Sequence, residues 1–481
     1  MKAPSSVTPL AVALAAALAA ALATGCPRTA PPPTSSVSPV AMAGTWSYEV
    51  VADEGARVLD VQAVLPPGGD EALVLDDGAV PFVENLVIDD GGAAPIDGGW
   101  NVGKCARGCR LRYRFRLGDA ADALDRVDLV GRRGGAIITA PSVFLLRPRT
   151  AGRGRYRFHL RTPEGTRFVT GVRPAADGAA STYEADVATM GEGPFSAFGS
   201  LDVQDVVVDG AHLELAIPRG AFAESTRATM TRWTETSADV VSRYYHGFPI
   251  ERALVLAIPE DGDEIGFAQA TGGGGAAILA RIGGSTPTAA FADDWVLPHE
   301  MIHLGMPFLA RRHHWWIEGV ATYVEPIARV RAGRVTRERL WGELVERMPN
   351  GLPGPGDEGL DRTPTWGRVY WGGALFCLLA DVEIRAQTGN ARSLDDALRA
   401  IVADGGDIAV QWTLERVFDV GDRATGTHVL RDLHARMGSA PVDVDLGALW
   451  TRLGVARAGG KVTFDEAAPG AAIRRAIETA P

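Results

Sequence analysis

Two periodicities divide this chain. From about Trp46 to Pro218, apolar residues recur at every second position in short runs broken by Gly, Asp and Pro, the pattern of half-buried strands. Arg110 to Leu117 reads Arg-Leu-Arg-Tyr-Arg-Phe-Arg-Leu without a fault, and Arg155 to Arg161 repeats the alternation. Each such strand turns aromatic and aliphatic side chains inward and arginines outward. The arginines read as a solvated face or, if the strands are neighbours, as a basic surface for an anion or an acidic partner. From Ala221 the period changes. Residues 222–245 predict an amphipathic helix with Met230, Trp233, Val240, Val241 and Tyr244 on its apolar side, and Ala253 to Ile258 predicts a buried strand. Helical spacing then dominates to about residue 437, interrupted by a Pro- and Gly-rich linker at 349–367. The expected fold class is α+β and multidomain: an all-β domain over 45–218, a mostly helical domain over 219–442 and a C-terminal tail over 443–481. No internal repeat is visible.

The first residues predict targeting. Lys2 precedes an apolar run from Leu10 to Ala23, short for a membrane span, which ends Leu22-Ala23-Thr24-Gly25-Cys26. This looks like a bacterial lipoprotein signal over 1–25, cleaved before a lipidated Cys26; an ordinary secretory signal is the alternative. Residues 26–44, with Pro31-Pro32-Pro33, form a semi-extended tether. The expected location is therefore the cell envelope, with the protein exported and lipid-anchored to a membrane. Cys105 and Cys109 agree with export, since Cys-Ala-Arg-Gly-Cys suits a small disulfide loop at a hairpin tip. Cys377 reads as a buried free thiol. A net charge of −11 over 481 residues argues against nucleic acid as a partner.

The candidate chemistry lies in the helical part. His299-Glu300-Met301-Ile302-His303 places two imidazoles one helical turn apart on one face, with a carboxylate beside them. That H-E-x-x-H spacing is a zinc peptidase signature, in which the glutamate is the general base. Pro298 is tolerated if Asp293 or Asp294 caps the helix, because first-turn N–H groups have no intrahelical partner. Trp295, Val296 and Ile302 are then expected to face the core. With fourteen residues between it and His303, Glu318 offers a third ligand on the next helix, giving one zinc ion a fourth position open for catalysis. His313 and His314 are its rivals. Glu325, seven residues beyond Glu318, is a candidate acceptor for a ligand histidine, or else a surface carboxylate. The run Gly272-Gly273-Gly274-Gly275 lacks the ending of a phosphate loop. Gly273, Gly274 and Gly275 read instead as an edge strand beside the metal, bare so that a peptide backbone can approach, or as a flexible loop.

Trp316-Ile317-Glu318-Gly319-Val320-Ala321-Thr322-Tyr323, Val369-Tyr370-Trp371-Gly372-Gly373 and the stretch from Asp381 to Arg399 together resemble the glycyl aminopeptidase family of gluzincin metallopeptidases, relatives of aminopeptidase N. The resemblance is good over about residues 220–440 and weaker over the β-rich part, where Pro194 to Gly199 carries it. It implies an N-terminal β domain and a thermolysin-like zinc peptidase domain, and no PDZ domain is expected here. It implies His299, His303 and Glu318 as zinc ligands and Glu300 as base. It implies Tyr370 as the oxyanion-stabilising tyrosine of a Tyr-x-Lys-Gly motif, with Gly372 in place of the lysine. Relatives hold the substrate's α-amine with a glutamate on a Gly-x-x-Glu strand, whereas Gly272 to Ala277 contains no acid. The expected function is a zinc-dependent peptidase acting on a peptide or protein substrate, with endopeptidase action favoured over aminopeptidase action. The alternatives are a catalytically inactive surface lipoprotein that acts as a binding module, and hydrolysis of a non-peptide bond.

Overall fold

The computed structural model describes residues 44–479 apart from 68–71, 90–91, 104–107, 127 and 151. The N-terminal part is rich in sheets and the C-terminal part is mostly helical. A six-stranded sheet runs in the order Thr182–Asp186, Arg155–Arg161, Thr45–Ala52, Leu59–Leu65, Cys109–Phe115, Val83–Ile88. The alternation read from sequence holds: in Cys109–Phe115 every odd position is buried and every arginine exposed. The two arginine-rich strands share this sheet but have two other strands between them. Arg114 pairs with Asp60, and Arg157 with Asp177 and Glu184, so the outer face is a solvated network of ion pairs. Cys109 is disulfide-bonded; Cys105, its expected partner, and Cys26 lie outside the described residues. Cys377 is free and buried.

The sheet that positions the site has five strands, ordered Leu201–Val208, Ala211–Pro218, Arg252–Glu260, Ala277–Gly283, Ile265–Thr271. The boundary expected at 218/219 therefore falls inside it. Leu201–Val208 and Ala211–Pro218 pair with each other, and the latter pairs with Arg252–Glu260 in parallel, so the alternating pattern alone did not show which sheet they join. The central strands are buried on both faces, which explains their unbroken apolar runs. Leu215, Val255 and Ile278 pack with the helices, while Leu254, Leu256 and Leu279 pack against Ile138 and Phe195 of the β-rich part. The predicted amphipathic helix is Glu224–Tyr245, and all five apolar residues named for it are buried. The last stretch is not a loose tail. Arg331 Nε donates to Ile477 O at 3.0 Å and Trp341 Nε1 to Glu478 Oε1 at 2.7 Å, tying the terminal helix Ala471–Glu478 onto the helical core. Among the described residues no helix is long and apolar enough to cross a membrane.

Candidate metal centre

The first site helix is Val296–His303. Asp294 starts it: Oδ1 accepts from Val296 N and Oδ2 from Leu297 N, both at 3.0 Å. Pro298 therefore sits in the first turn, where its missing N–H leaves nothing unpaired. Trp295 does not face the core as expected. It is 51% exposed, and its ring stands edge-on to His299 with centroids 5.8 Å apart. A residue preceding the first turn points away from the buried stripe that Leu297, Met301 and Ile302 form.

The second site helix is His314–Arg331. Its opening is anchored by Trp315 and Trp316, both buried against Phe376. The hydroxyl of Tyr323 donates to Asp381 Oδ2 at 2.9 Å, which makes this motif tyrosine a brace. Glu318 thereby faces the first helix. Its Oε2 lies 3.4 Å from His299 Nε2 and 3.5 Å from His303 Nε2. Both are long for a hydrogen bond, which prefers about 2.7–3.2 Å. They match the roughly 3.3–3.6 Å edges of a tetrahedron whose arms are zinc–ligand bonds of about 2.0–2.2 Å. His299, Glu300 and His303 also converge, with ligand atoms within 4.8 Å of one another. All four residues are buried. Burial pushes the Glu318 carboxyl upward, but His303, with hydrogen bonds from His299, His303 and His314, outweighs it and holds the group far below the usual range. Glu318 is thus ionised, as a metal ligand must be. Two imidazoles and one carboxylate are a fitting donor set for zinc with one position left open.

The rival histidines separate. His313 turns away: its Nδ1 is 3.0 Å from Asp361 Oδ1, and its Nε2 accepts from Arg312. Asp361 Oδ2 is in turn 2.9 Å from His434 Nε2. This second His–Asp–His cluster carries its proton on His313 Nδ1, because Arg312 Nε–H needs a lone pair on Nε2; a metal on Nδ1 would force a proton onto Nε2 and set two donors face to face. His314, in contrast, touches the site. Its Nε2 lies 3.2 Å from Glu318 Oε1, the oxygen that does not face the other imidazoles. It holds the ligand carboxylate in the way a supporting partner orients a metal ligand. The signal in the sequence was its i,i+4 spacing to Glu318.

Glu325 does not support a ligand histidine. Its Oε1 accepts from Arg329 at 2.9 Å, and Arg329 also donates to the carbonyl of Asp293 at 2.9 Å. The pair braces the second helix against the entry to the first. Burial pushes the Glu325 carboxyl up to about 8, against the pull of Arg329. His303 Nδ1 is buried without a protein partner.

Glu300 Oε2 accepts from Ala270 N at 2.6 Å. Ala270 belongs to Ile265–Thr271, the edge strand of the five-stranded sheet. The edge beside the metal centre is therefore this strand and not the glycine run after it. Gly272 to Gly275 are buried. Gly273 N and Gly274 N donate to Ile408 O and Ala409 O, and a Cβ on Gly272 or Gly275 would stand 2.0 Å or 1.9 Å from Ile408 O or Gly171 O. The missing side chains make room for the protein's own backbone, not for a substrate.

Tyr370 lies in a π-helical segment, Gly367–Gly372, that opens the helix Gly373–Thr388. Its ring stacks on His299 at 6.5 Å. Burial raises its phenol pKa, and the neighbouring Glu318 and Glu300 carboxylates raise it further, so the hydroxyl keeps its proton. Two glycines bring it there. A Cβ on Gly319 would lie 2.4 Å from Gly373, and one on Gly373 would lie 2.0 Å from Trp315 O. A Cβ at Gly372 would stand 3.0 Å from Leu360 Cδ2 and 3.2 Å from Arg368 Nη1, so a lysine there would need both side chains to give way; the buried Arg368 guanidinium lies beside this position and pairs with Asp357 at 2.7 Å.

Neither a protein-family profile nor a curated protein sequence matches this chain. Solved structures do. An aminopeptidase N family protein from Idiomarina loihiensis is similar with a TM-score of 0.61 at 14% identity, over 85% of this chain and 78% of that one. An M1 zinc metallopeptidase variant from Deinococcus radiodurans is similar with a TM-score of 0.53 at 13% identity, over 84% and 95%. The unsubstituted Deinococcus radiodurans enzyme gives 0.51 at 13% identity, over 82% and 92%. The likeness is one of fold: the chain adopts a fold similar to that of these aminopeptidase N-like zinc metallopeptidases.

Proposed function

We propose that this protein is a zinc-dependent peptidase. The observation that carries the reading is the meeting of His299, His303 and Glu318 at tetrahedral spacing beside Glu300 and Tyr370. Zinc bound there supplies Lewis acidity toward a scissile carbonyl and acidifies a water. Glu300, buried and held by the Ala270 amide, takes the water's proton and passes it to the leaving amine. Tyr370 keeps its proton at neutral pH and donates toward the oxygen on which charge develops. Ile265–Thr271 is the last strand of its sheet, and an extended peptide adds to a sheet edge through main-chain hydrogen bonds. One similar structure, the Deinococcus radiodurans variant, holds a Tyr-Ser-Ala substrate.

The edge strand Ile265–Thr271 carries no acid to hold a free α-amine, a loss of roughly 1.5–3 kcal/mol for an N-terminal substrate. Internal cleavage is therefore the favoured mode. The reading includes export and a lipid anchor at Cys26, which rest on the signal-like N-terminus alone. The test is a mixed peptide library with and without a chelator, read by mass spectrometry alongside bound metal. Chelator-sensitive internal cuts are expected, and stepwise N-terminal trimming would restore the aminopeptidase mode. Glu300→Gln is expected to abolish turnover while zinc stays bound; unchanged turnover would remove Glu300 as base, and bound zinc without cleavage in the parent protein would favour the binding module.

A further inference from the structure

Large hydrophobic side chains are seldom left in water without a reason when several gather in one place. Seven are exposed among the described residues, and three are valines at Val51, Val87 and Val207. The other four are all aromatic: Phe267, Trp295, Phe308 and Trp366, at 69%, 51%, 36% and 59% exposure. Every one of them sits on a segment that builds the metal centre or adjoins it. Trp295 precedes His299 by one turn and Trp366 precedes Tyr370 by one turn. Phe267 lies three residues before Ala270 on the edge strand. Phe308 follows His303 by five residues, and its backbone is tied to Val410.

Two of these rings join through the site itself. Trp295 meets His299 at 5.8 Å, His299 meets Tyr370 at 6.5 Å, and Tyr370 meets Trp366 at 6.1 Å. The ladder thus runs from one exposed tryptophan across a ligand imidazole and the donor phenol to the other. The acids beside Trp295 do not make this wall polar. Asp294 is taken up by the helix start and by Trp233 Nε1, and Asp293 by Arg339 and Arg329. Half-exposed tryptophans at the rim of a buried polar centre are the residue type that dominates recognition energetics, through large apolar area and ring stacking.

We propose that Trp295 and Trp366 select peptides carrying an aromatic side chain beside the scissile bond, which stacks on this ladder. The proposal rests on the peptidase reading for its setting, and its test keeps the two apart. The zinc-loaded Glu300→Gln protein is titrated with end-capped hexapeptides that carry Phe or Trp at the centre, and with matched peptides carrying Ser there. Aromatic peptides are expected to bind roughly tenfold tighter. Trp366→Ser and Trp295→Ser, each made in that background, are expected to reduce the preference to about threefold or less while bound zinc stays at one equivalent. Equal affinity for both peptide sets overturns the proposal, and so does a preference that survives both substitutions. The parent protein is given the same peptides. Selective binding without cleavage leaves the aromatic selection standing and removes the peptidase reading, whereas cleavage indifferent to the central residue does the reverse.

Discussion

At the scale of single residues, the candidate metal centre depends on side chains one step removed from His299, His303 and Glu318. His314 fixes the Glu318 oxygen that faces away from the other imidazoles. Replacing it with Ala is expected to weaken zinc binding by roughly 10–100-fold, the usual loss for a ligand's supporting partner. Competition against a chromophoric chelator measures this, and the unfolding midpoint of the metal-free protein should not move, since His314 is half exposed. His314→Gln, which can still donate to Glu318, should recover most of the affinity. Arg329 makes the opposite kind of contribution. Arg329→Leu leaves the buried Glu325 carboxyl, which burial keeps largely protonated at neutral pH, without its hydrogen-bond partner, and an unsatisfied buried polar group costs about 1–3 kcal/mol. Denaturant unfolding would show it as a fall in midpoint, while zinc affinity measured on the folded protein should change far less. The carboxylate at Glu325 was visible in the sequence, but its partner was not read correctly. Spacing placed it on the ligand face of the helix, and it could not reveal that Arg329, one turn on, would reach it first.

At the scale of elements, the site is made by a close crossing of two helical segments. Gly319 in the second site helix and Gly373 beyond the π-helical turn touch backbone to backbone. An alanine in a helix ordinarily stabilises by about 0.5–1 kcal/mol relative to glycine. Gly319→Ala should reverse that sign and destabilise by about 1–3 kcal/mol, because the added methyl has only backbone to displace. Thermal melting gives the sign directly. The same change should separate Tyr370 from Glu318 and depress kcat more than zinc content. The H-E-x-x-H face was legible because it lies within one helix, where the 3.6-residue period fixes which side chains share a side. The glycine run was misread because a bare backbone signals close approach without saying what approaches. Here Ile408, Ala409 and Gly171 do, and the sheet edge that meets Glu300 is the preceding strand.

At the scale of the whole molecule, Asp361 joins three distant parts of the chain: His313 before the second site helix, His434 in the helix Val429–Met437, and its own loop. Burial raises its carboxyl pKa, but hydrogen bonds from His313, His434 and Trp315 outweigh this and hold it well below the usual aspartate range. A depressed folded value means stability that is present above the unfolded value and is lost as pH falls through the folded one. The parent protein should therefore lose stability below about pH 4 in part through this residue. Asp361→Asn should be less stable at neutral pH and show a shallower decline on acidification, measured by urea unfolding at a series of pH values. What the sequence determined by itself was local: alternating strands in the first part, helices in the second, the His299–Glu300–His303 face and the carboxylate Glu318 on the next helix. Each follows from a period of two or 3.6 residues acting over short distances. The tertiary structure decided which sheet takes the strands Leu201–Pro218, which histidine supports Glu318, what fills the place of the missing lysine, and that Trp295 faces solvent at the site. Those outcomes depend on which distant segments pack together, and packing depends on volume and partner rather than on spacing along the chain.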